Sequence, residues 1–330
     1  MLKTRLPSKP TAEIAYAVHS APSRSVPGPP RMIVFLNNLL MPAASWKPCI
    51  SLLNEKRAQS APTAADKQNT IPMLTYDRFG QGATTDRDPL DARPGTEVGY
   101  GHDFLDVVHD LHELIAVVST EVFGSETAKE LPHLLLVGAS IGAPLARLYA
   151  ETYPGTVSGL LLIDSNIANA NYSTFWPQPD SPDFKPENVT APDCTLEQYI
   201  EATRKLVKVF DLDVKNPERL DRRTTPNLLP HADRPWLTGP GGQDVKICVV
   251  GHDPVAFATE GYKMMGTPKS FTERWSQKAW DEYNQGLLRI GDTTNFPQVL
   301  IAKGCGHFVQ KDDPAFVADL IGKMLDALGW

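Results

Sequence analysis

Cysteine is scarce. The 330 residues hold four, Cys49, Cys194, Cys248 and Cys305, and no two form a C-x-x-C pair. That spacing offers neither a zinc ribbon nor a redox dithiol, and a dispersed set in a long chain suits a reducing compartment. Positive charge is also in short supply. With 32 Lys+Arg against 39 Asp+Glu, the net charge is −7. The chain therefore offers phosphates no general basic field, and nucleic acid is not an expected partner. No apolar run reaches the roughly 20 residues of a membrane span. The basic start, Met1 to Pro10, has no apolar stretch behind it, so no secretory leader is read and the expected location is cytoplasmic. Internal repeats are absent too. Against these gaps stand 42% hydrophobic residues, enough to exclude disorder as the main state, and 29 Pro with 23 Gly, which imply many loops.

What is present is an alternation of short apolar runs and helical stretches. The runs are 32–36, 72–76, 134–137, 160–163, 245–250 and 298–302. Each has strand length, is apolar throughout and ends in turn residues, the pattern of strands buried on both faces of a parallel sheet. Between them, Phe104, Val107, Val108, Leu111, Leu114, Ile115 and Val118 recur at helical spacing, and a second helix is expected from Ile141 to about Thr152. Upstream, Ile14, Tyr16 and Val18 alternate as in an antiparallel strand. The expected fold class is α/β, a doubly wound and mostly parallel sheet. Two stretches break the alternation. Residues 54–71 read as a surface loop. Residues 165–245 show no convincing sheet strand; they open Pro-rich, then offer helix starts at Thr195, with Gln198 three positions on, and at Asn216-Pro217.

The chemistry-bearing segment is HLLLVGASIGA, 133–143, in which a buried strand runs into Gly138-Ala139-Ser140-Ile141-Gly142 and a helix follows. A serine on a sharp strand-to-helix turn has its hydroxyl exposed, and glycines two before and two after let neighbouring backbone approach. The helix N-terminus adds free N–H groups where negative charge would develop. Its proton needs a base. His307 lies on the loop after the last apolar run, at the sheet edge that Ser140 shares. The other seven histidines lack such a context; His109 and His112, three apart on a helix, have no third metal ligand. The carboxylate that fixes the imidazole is read as Asp253, after the penultimate strand. Asp164, ending the run before 165, is the alternative acid, and Glu260 a third candidate.

These residues resemble the α/β-hydrolase superfamily, in its capped, serine-nucleophile members, whose triad runs in the order Ser, acid, His. YDRFGQGAT (76–84) is similar to that family's D-x-R-G-x-G-x-S loop, 147–165 to its helix and strand after the serine turn, and 35–46 to its oxyanion loop. The resemblance implies an eight-stranded-type sheet with a helical cap inserted after the sixth strand: 1–164 and 246–330 as core, 165–245 as cap. It also implies an oxyanion hole from the Leu39 and Ile141 amides. The chain departs from the family in carrying Asn37-Asn38 where His-Gly is usual, and in placing Asp253 one residue early after Gly251, which keeps Asp164 in play. Asn37 and Asn38 either reach substrate or bond the loop to itself. Cap aromatics, Trp176 and Trp236 among them, are candidates to line an apolar pocket.

The expected activity is hydrolysis of an ester, lactone or thioester of a small, largely apolar compound through an acyl-enzyme on Ser140. No metal or organic cofactor is implied. Relatives that open epoxides use an aspartate nucleophile, whereas Ser140 fits acyl transfer. Alternatives on the same fold are C–C bond hydrolysis, a lyase or isomerase step, and a ligand receptor that does no chemistry.

Overall fold

A computed structural model of the chain describes residues 1–20, 29–60, 70–124 and 131–330. Its strands are β1 (Leu2–Leu6), β2 (Lys9–His19), β3 (Arg31–Leu36), β4 (Met73–Asp77), β5 (His102–Asp103), β6 (His133–Ala139), β7 (Val157–Ile163), β8 (Leu220–Asp221), β9 (Lys246–His252) and β10 (Leu300–Ala302). Among the described residues, eight form one sheet in the order β1-β2-β4-β3-β6-β7-β9-β10, antiparallel at β1-β2-β4 and parallel from β4 onward. The doubly wound expectation therefore stands. The β1 strand, polar at three of five positions and buried only at Leu6, carries no apolar run and escaped the sequence reading.

Both faces of the sheet are apolar because the parallel strands are apolar at consecutive positions. On one face lie Met32, Val34, Leu36, Leu134, Leu136, Leu160, Leu162, Ile247 and Val249. On the other lie Ile33, Phe35, Leu135, Val137, Leu161, Ile163, Cys248 and Val250. Helices α2 (Phe104–Phe123) and α3 (Gly142–Thr152) cover the first face; α1 (Lys47–Ser60) and the C-terminal helix (Pro314–Ala327) cover the second. Each large aliphatic side chain buried this way contributes about 2 kcal/mol. The reading of 54–71 as loop needs correction: 54–60 belong to α1, whose Leu53 is buried against the sheet, while 61–69 lie outside the described residues.

Residues 165–245 follow the sixth strand of the large sheet. They contain helix α4 (Leu196–Phe210), with the capping box expected at Thr195: Gln198 N donates to Thr195 Oγ1 at 3.3 Å, and Thr195 N donates to Gln198 Oε1 at 2.8 Å. The helix expected at Asn216-Pro217 does not form. Asn216 instead closes a turn, its side chain bonding both the N–H and the C=O of Leu220. That turn delivers Leu220–Asp221 to a short parallel pairing with His102–Asp103. After β9 come α5 (Pro254–Met265) and α6 (Gln277–Leu287). Tyr172, Trp176, Tyr199, Phe210, Phe271 and Trp280 pack together between the segment and the sheet.

Candidate active site

The parallel register brings the C-terminal ends of β3, β6, β7 and β9 to one edge. Leu36 pairs with Gly138, Ala139 with Ile163, and Ile163 with Val250. Ser140 sits one residue past β6 with φ +54°, a left-handed conformation that costs a non-glycine residue about 1–3 kcal/mol and persists only where surrounding contacts dictate it. Those contacts are Ser140 N donating to Ile163 O and two amides, of Ala143 and Asn166, donating to Ser140 O. The flanking glycines are required by close approach. A Cβ on Gly138 would lie 2.3 Å from the Gly142 carbonyl oxygen, and one on Gly142 would lie 2.2 Å from that of Leu36.

The structure brings Ser140 and His307 together. His307 Nε2 lies 2.8 Å from Ser140 Oγ, and its Nδ1 lies 2.6 Å from Asp164 Oδ2. The backbone N–H of His307 donates to Glu260 Oε2 at 3.1 Å, which fixes the loop and keeps that carboxylate off the ring. Asp164, like Ser140, has a positive φ, +42°, so the chain turns sharply as it leaves β7 and sets the carboxylate beneath the imidazole. It is fully buried. Burial on its own would raise its pKa; the charge and hydrogen bonds of His252, then those of His307, outweigh this and hold it at about 2.

The choice of Asp253 as the acid is corrected by this geometry. Asp253 caps α5, accepting from the Val255 and Ala256 amides at 2.9 and 3.1 Å, and it accepts from Gly304 N at 3.0 Å. These backbone donors hold its pKa below the ordinary carboxylate range. Alternation along the strand decides the matter: His252 turns inward at the end of β9, so Asp253, the next residue, cannot. His252 itself, set aside with the other histidines, is 1% exposed and donates from Nδ1 to Asp164 Oδ1 at 2.7 Å. Its position at a strand end beside a candidate acid was the available signal.

The loop after β3 carries Asn37 to Leu40. Asn37 is committed to that loop's own support. Its amide donates to Tyr76 O at 2.7 Å and Gln81 Oε1 at 2.9 Å, and its oxygen accepts from Trp46 Nε1 at 2.9 Å. That corrects its assignment to substrate. Asn38 is also buried, and its Oδ1 accepts from Gln310 Nε2 at 2.5 Å. Among the described residues, the Leu39 and Ile141 amides donate to no protein acceptor, whereas the Leu40 amide is taken by Glu218 Oε1 at 2.6 Å. Glu218, from the 165–245 segment, also accepts from Arg78 Nε at 2.8 Å, Arg78 Nη2 at 3.1 Å and Gln81 Nε2 at 2.9 Å. Arg78 in turn donates to the Asn37 and Asn38 carbonyls. Neither Glu218 nor Gln310 was singled out from sequence, since a lone polar residue in a loop carries no local pattern.

Of the two tryptophans, Trp176 is buried against Phe175 and Phe271. Trp236 is placed elsewhere. It is 53% exposed and donates to Asp244, beside Leu237 and Thr238, which bond to Ile290 and to Gly155 ahead of β7. That is the N-terminal edge of the strands, so the structure does not bring Trp236 to Ser140. No group of three or more His, Cys, Asp or Glu among the described residues is arranged to hold a metal ion, and no helix there is long and apolar enough to cross a membrane.

Comparison with known proteins agrees with this architecture. A variant of the Vigna radiata epoxide hydrolase is similar at 14% identity over 99% of this chain and 98% of its own, with a TM-score of 0.51. The epoxide hydrolase CorEH is similar at 15% identity over 99% and 98%, with a TM-score of 0.51. Cfl2 from Burkholderia cenocepacia gives 14% identity over 98% and 94%, with a TM-score of 0.50. At such identities the likeness is one of fold. No curated protein matches the sequence. The model of the alpha/beta hydrolase family matches residues 33–320, a span that holds the serine turn, Asp164 and His307, and the chain belongs to that family.

Proposed function

We propose that the chain is a serine hydrolase that cleaves an ester, lactone or thioester of a small, largely apolar compound. The observation that carries this reading is the continuous chain of contacts Ser140 Oγ, His307 Nε2, His307 Nδ1, Asp164 Oδ2, at 2.8 and 2.6 Å. In this mechanism His307 takes the Ser140 proton as the hydroxyl oxygen attacks the carbonyl carbon. Asp164 holds the ring so that Nε2 faces the serine, and it stabilises the imidazolium that forms. The tetrahedral oxyanion is held by the amides of Ile141, at the start of α3, and Leu39. Collapse expels the alcohol or thiol, which takes its proton from His307. Water, deprotonated by the same histidine, then releases the acid.

Ser140 separates this reading from the activity in the names of the fold neighbours. A serine oxygen that opened an epoxide would leave an ether on the enzyme, which water does not cleave under these conditions. An acyl ester is hydrolysable. Residues 165–245 serve as the cap in this reading, and the aromatic cluster of Tyr172, Phe175, Trp176 and Trp280 supports an apolar rather than a charged substrate. A fluorophosphonate probe tests the proposal. Labelling is expected on Ser140, identified by peptide mass spectrometry, and is expected to disappear in Ser140→Ala and His307→Ala. Absence of labelling in the folded wild-type protein would overturn the hydrolase reading in favour of a binding role.

A further inference from the structure

We infer that His252 is a positioning residue held permanently as an imidazolium, and that its charge keeps Asp164 ionised beneath His307; the use of that carboxylate in catalysis rests on the proposed hydrolase mechanism. Both ring nitrogens of His252 face oxygen acceptors. Nδ1 lies 2.7 Å from Asp164 Oδ1, on a carboxylate that also accepts from the His252 backbone amide at 3.2 Å and from His307. Nε2 lies 2.9 Å from Gln277 Oε1.

The orientation of the Gln277 amide follows from its own partner. Its Nε2 donates to Asp281 Oδ1 at 2.9 Å, and a carboxylate in that place accepts rather than donates. The carbonyl end of Gln277 therefore points at His252, whose Nε2 must carry hydrogen. The carboxylate of Asp164 demands hydrogen on Nδ1 in the same way. Two donors on one imidazole mean a cation. The surroundings agree. Phe257 stacks on the ring at 3.9 Å and Trp280 lies at 5.9 Å, so two aromatic rings flank the charge. Burial would lower the His252 pKa, but the charge and hydrogen bond of Asp164, the bond to Gln277 and the charge of Asp281 raise it.

Charged and titratable groups approach His252 from several elements. Asp164 comes from the end of β7, and Asp281 with Gln277 from α6. Asp253 is its chain neighbour, and His307 and the Glu260 that binds the His307 amide stand across Asp164. The line Asp281, Gln277, His252, Asp164, His307, Ser140 thus crosses the site from an exposed carboxylate to the nucleophile. Asp164 is shared between two imidazoles. The fixed positive charge of His252, held against one carboxylate oxygen, keeps Asp164 ionised while its other oxygen stays free to orient the His307 ring.

Two measurements decide this. Long-range proton–nitrogen NMR of histidine-labelled protein, titrated from about pH 5 to about pH 9, is expected to show both His252 nitrogens protonated throughout, although a free imidazole titrates in that range. A neutral single-tautomer signature for His252 would overturn the inference whatever the enzyme does. The second is the carboxyl carbon NMR signal of Asp164 across a pH titration. In wild-type protein it is expected to stay at its ionised position to below about pH 4, and in His252→Gln, which leaves the carboxylate a neutral partner, to begin titrating about one pH unit higher than in wild type or more. An Asp164 signal that titrates over the same range in both proteins would reduce His252 to packing and refute its electrostatic role. If folded wild-type protein is not labelled by the fluorophosphonate at all, the hydrolase reading fails, and the NMR titration still decides the charge of His252.

Discussion

Glu218 ties the 165–245 segment to the loop that carries Leu39, and removing it should damage stability and labelling by separable amounts. The side chains of Arg78 and Glu218 are 3% and 1% exposed and meet at 2.8 Å. Four donors converge on the Glu218 carboxylate: Nε and Nη2 of Arg78, Nε2 of Gln81, and the Leu40 amide. In Glu218→Ala the guanidinium keeps its bonds to the Asn37 and Asn38 carbonyls but loses its counter-charge in a site that water does not reach. Breaking a buried pair from one side costs about 3–5 kcal/mol. Glu218→Gln retains the shape and one acceptor oxygen, so its cost should be nearer the 1.5–3 kcal/mol of a charged hydrogen bond. Replacing both partners, Arg78→Met with Glu218→Leu, should recover much of the loss, because no unpaired charge remains. Urea unfolding gives the stability term. Fluorophosphonate labelling under conditions where every variant is fully folded gives the rest. Leu40 has φ +62° and is exposed, so without Glu218 its amide loses the contact that holds this strained residue, and labelling should fall even in the folded variant. A Glu218→Ala protein within about 1 kcal/mol of wild type, or one labelled at the wild-type rate, would refute the clamp.

The two aspartates at the sheet edge should separate cleanly. Asp164→Asn is expected to lower the labelling rate by about 10³-fold or more, since an amide neither orients nor stabilises the imidazolium in the same way; Asp253→Asn should leave it within a few-fold, and Asp253→Ala should cost about 1 kcal/mol of stability as a lost helix cap. Equal losses in both would contradict the geometry. A pH-dependent effect is expected away from the site, where Lys9 Nζ lies 2.6 Å from both Asp88 and Asp110. Burial, helped by the neighbouring Asp88 charge and opposed by Lys9, raises Asp110 to about 7. A carboxyl raised in the fold contributes stability below its unfolded value of about 4 and loses it as pH climbs toward 7. Asp110→Asn should therefore become progressively more favourable relative to wild type over that interval, as read from urea midpoints; the opposite trend would show that Lys9 holds Asp110 ionised.

What could be read from sequence was whatever is written in consecutive residues. Apolar runs placed the parallel strands, and a strand feeding G-A-S-I-G into a helix placed Ser140, because that turn is built from five neighbours. His307 was legible from its place after the last strand. The acid was not, since Asp164 and Asp253 both end parallel strands at the same edge and both satisfy the order Ser, acid, His. Their difference lies in a left-handed residue at 164 and in which side chain alternation turns inward at 252, and neither is a local pattern. Asn37 shows the same division. Its loop was recognisable, but its bonding partners, Trp46, Tyr76, Asp77 and Gln81, come from other elements. Asn216-Pro217 shows the converse, where a correct local signal gave way: the cap chemistry was used for a turn that sends Glu218 to Arg78, a contact across 140 positions. Ser140 and His307 are 167 positions apart, and His307 and Asp164 are 143. Polar contacts of that range are set by the sheet register, so the register, rather than any motif, is what puts Asp164 rather than Asp253 against His307, sets His252 on its other oxygen and leaves Trp236 at the opposite edge.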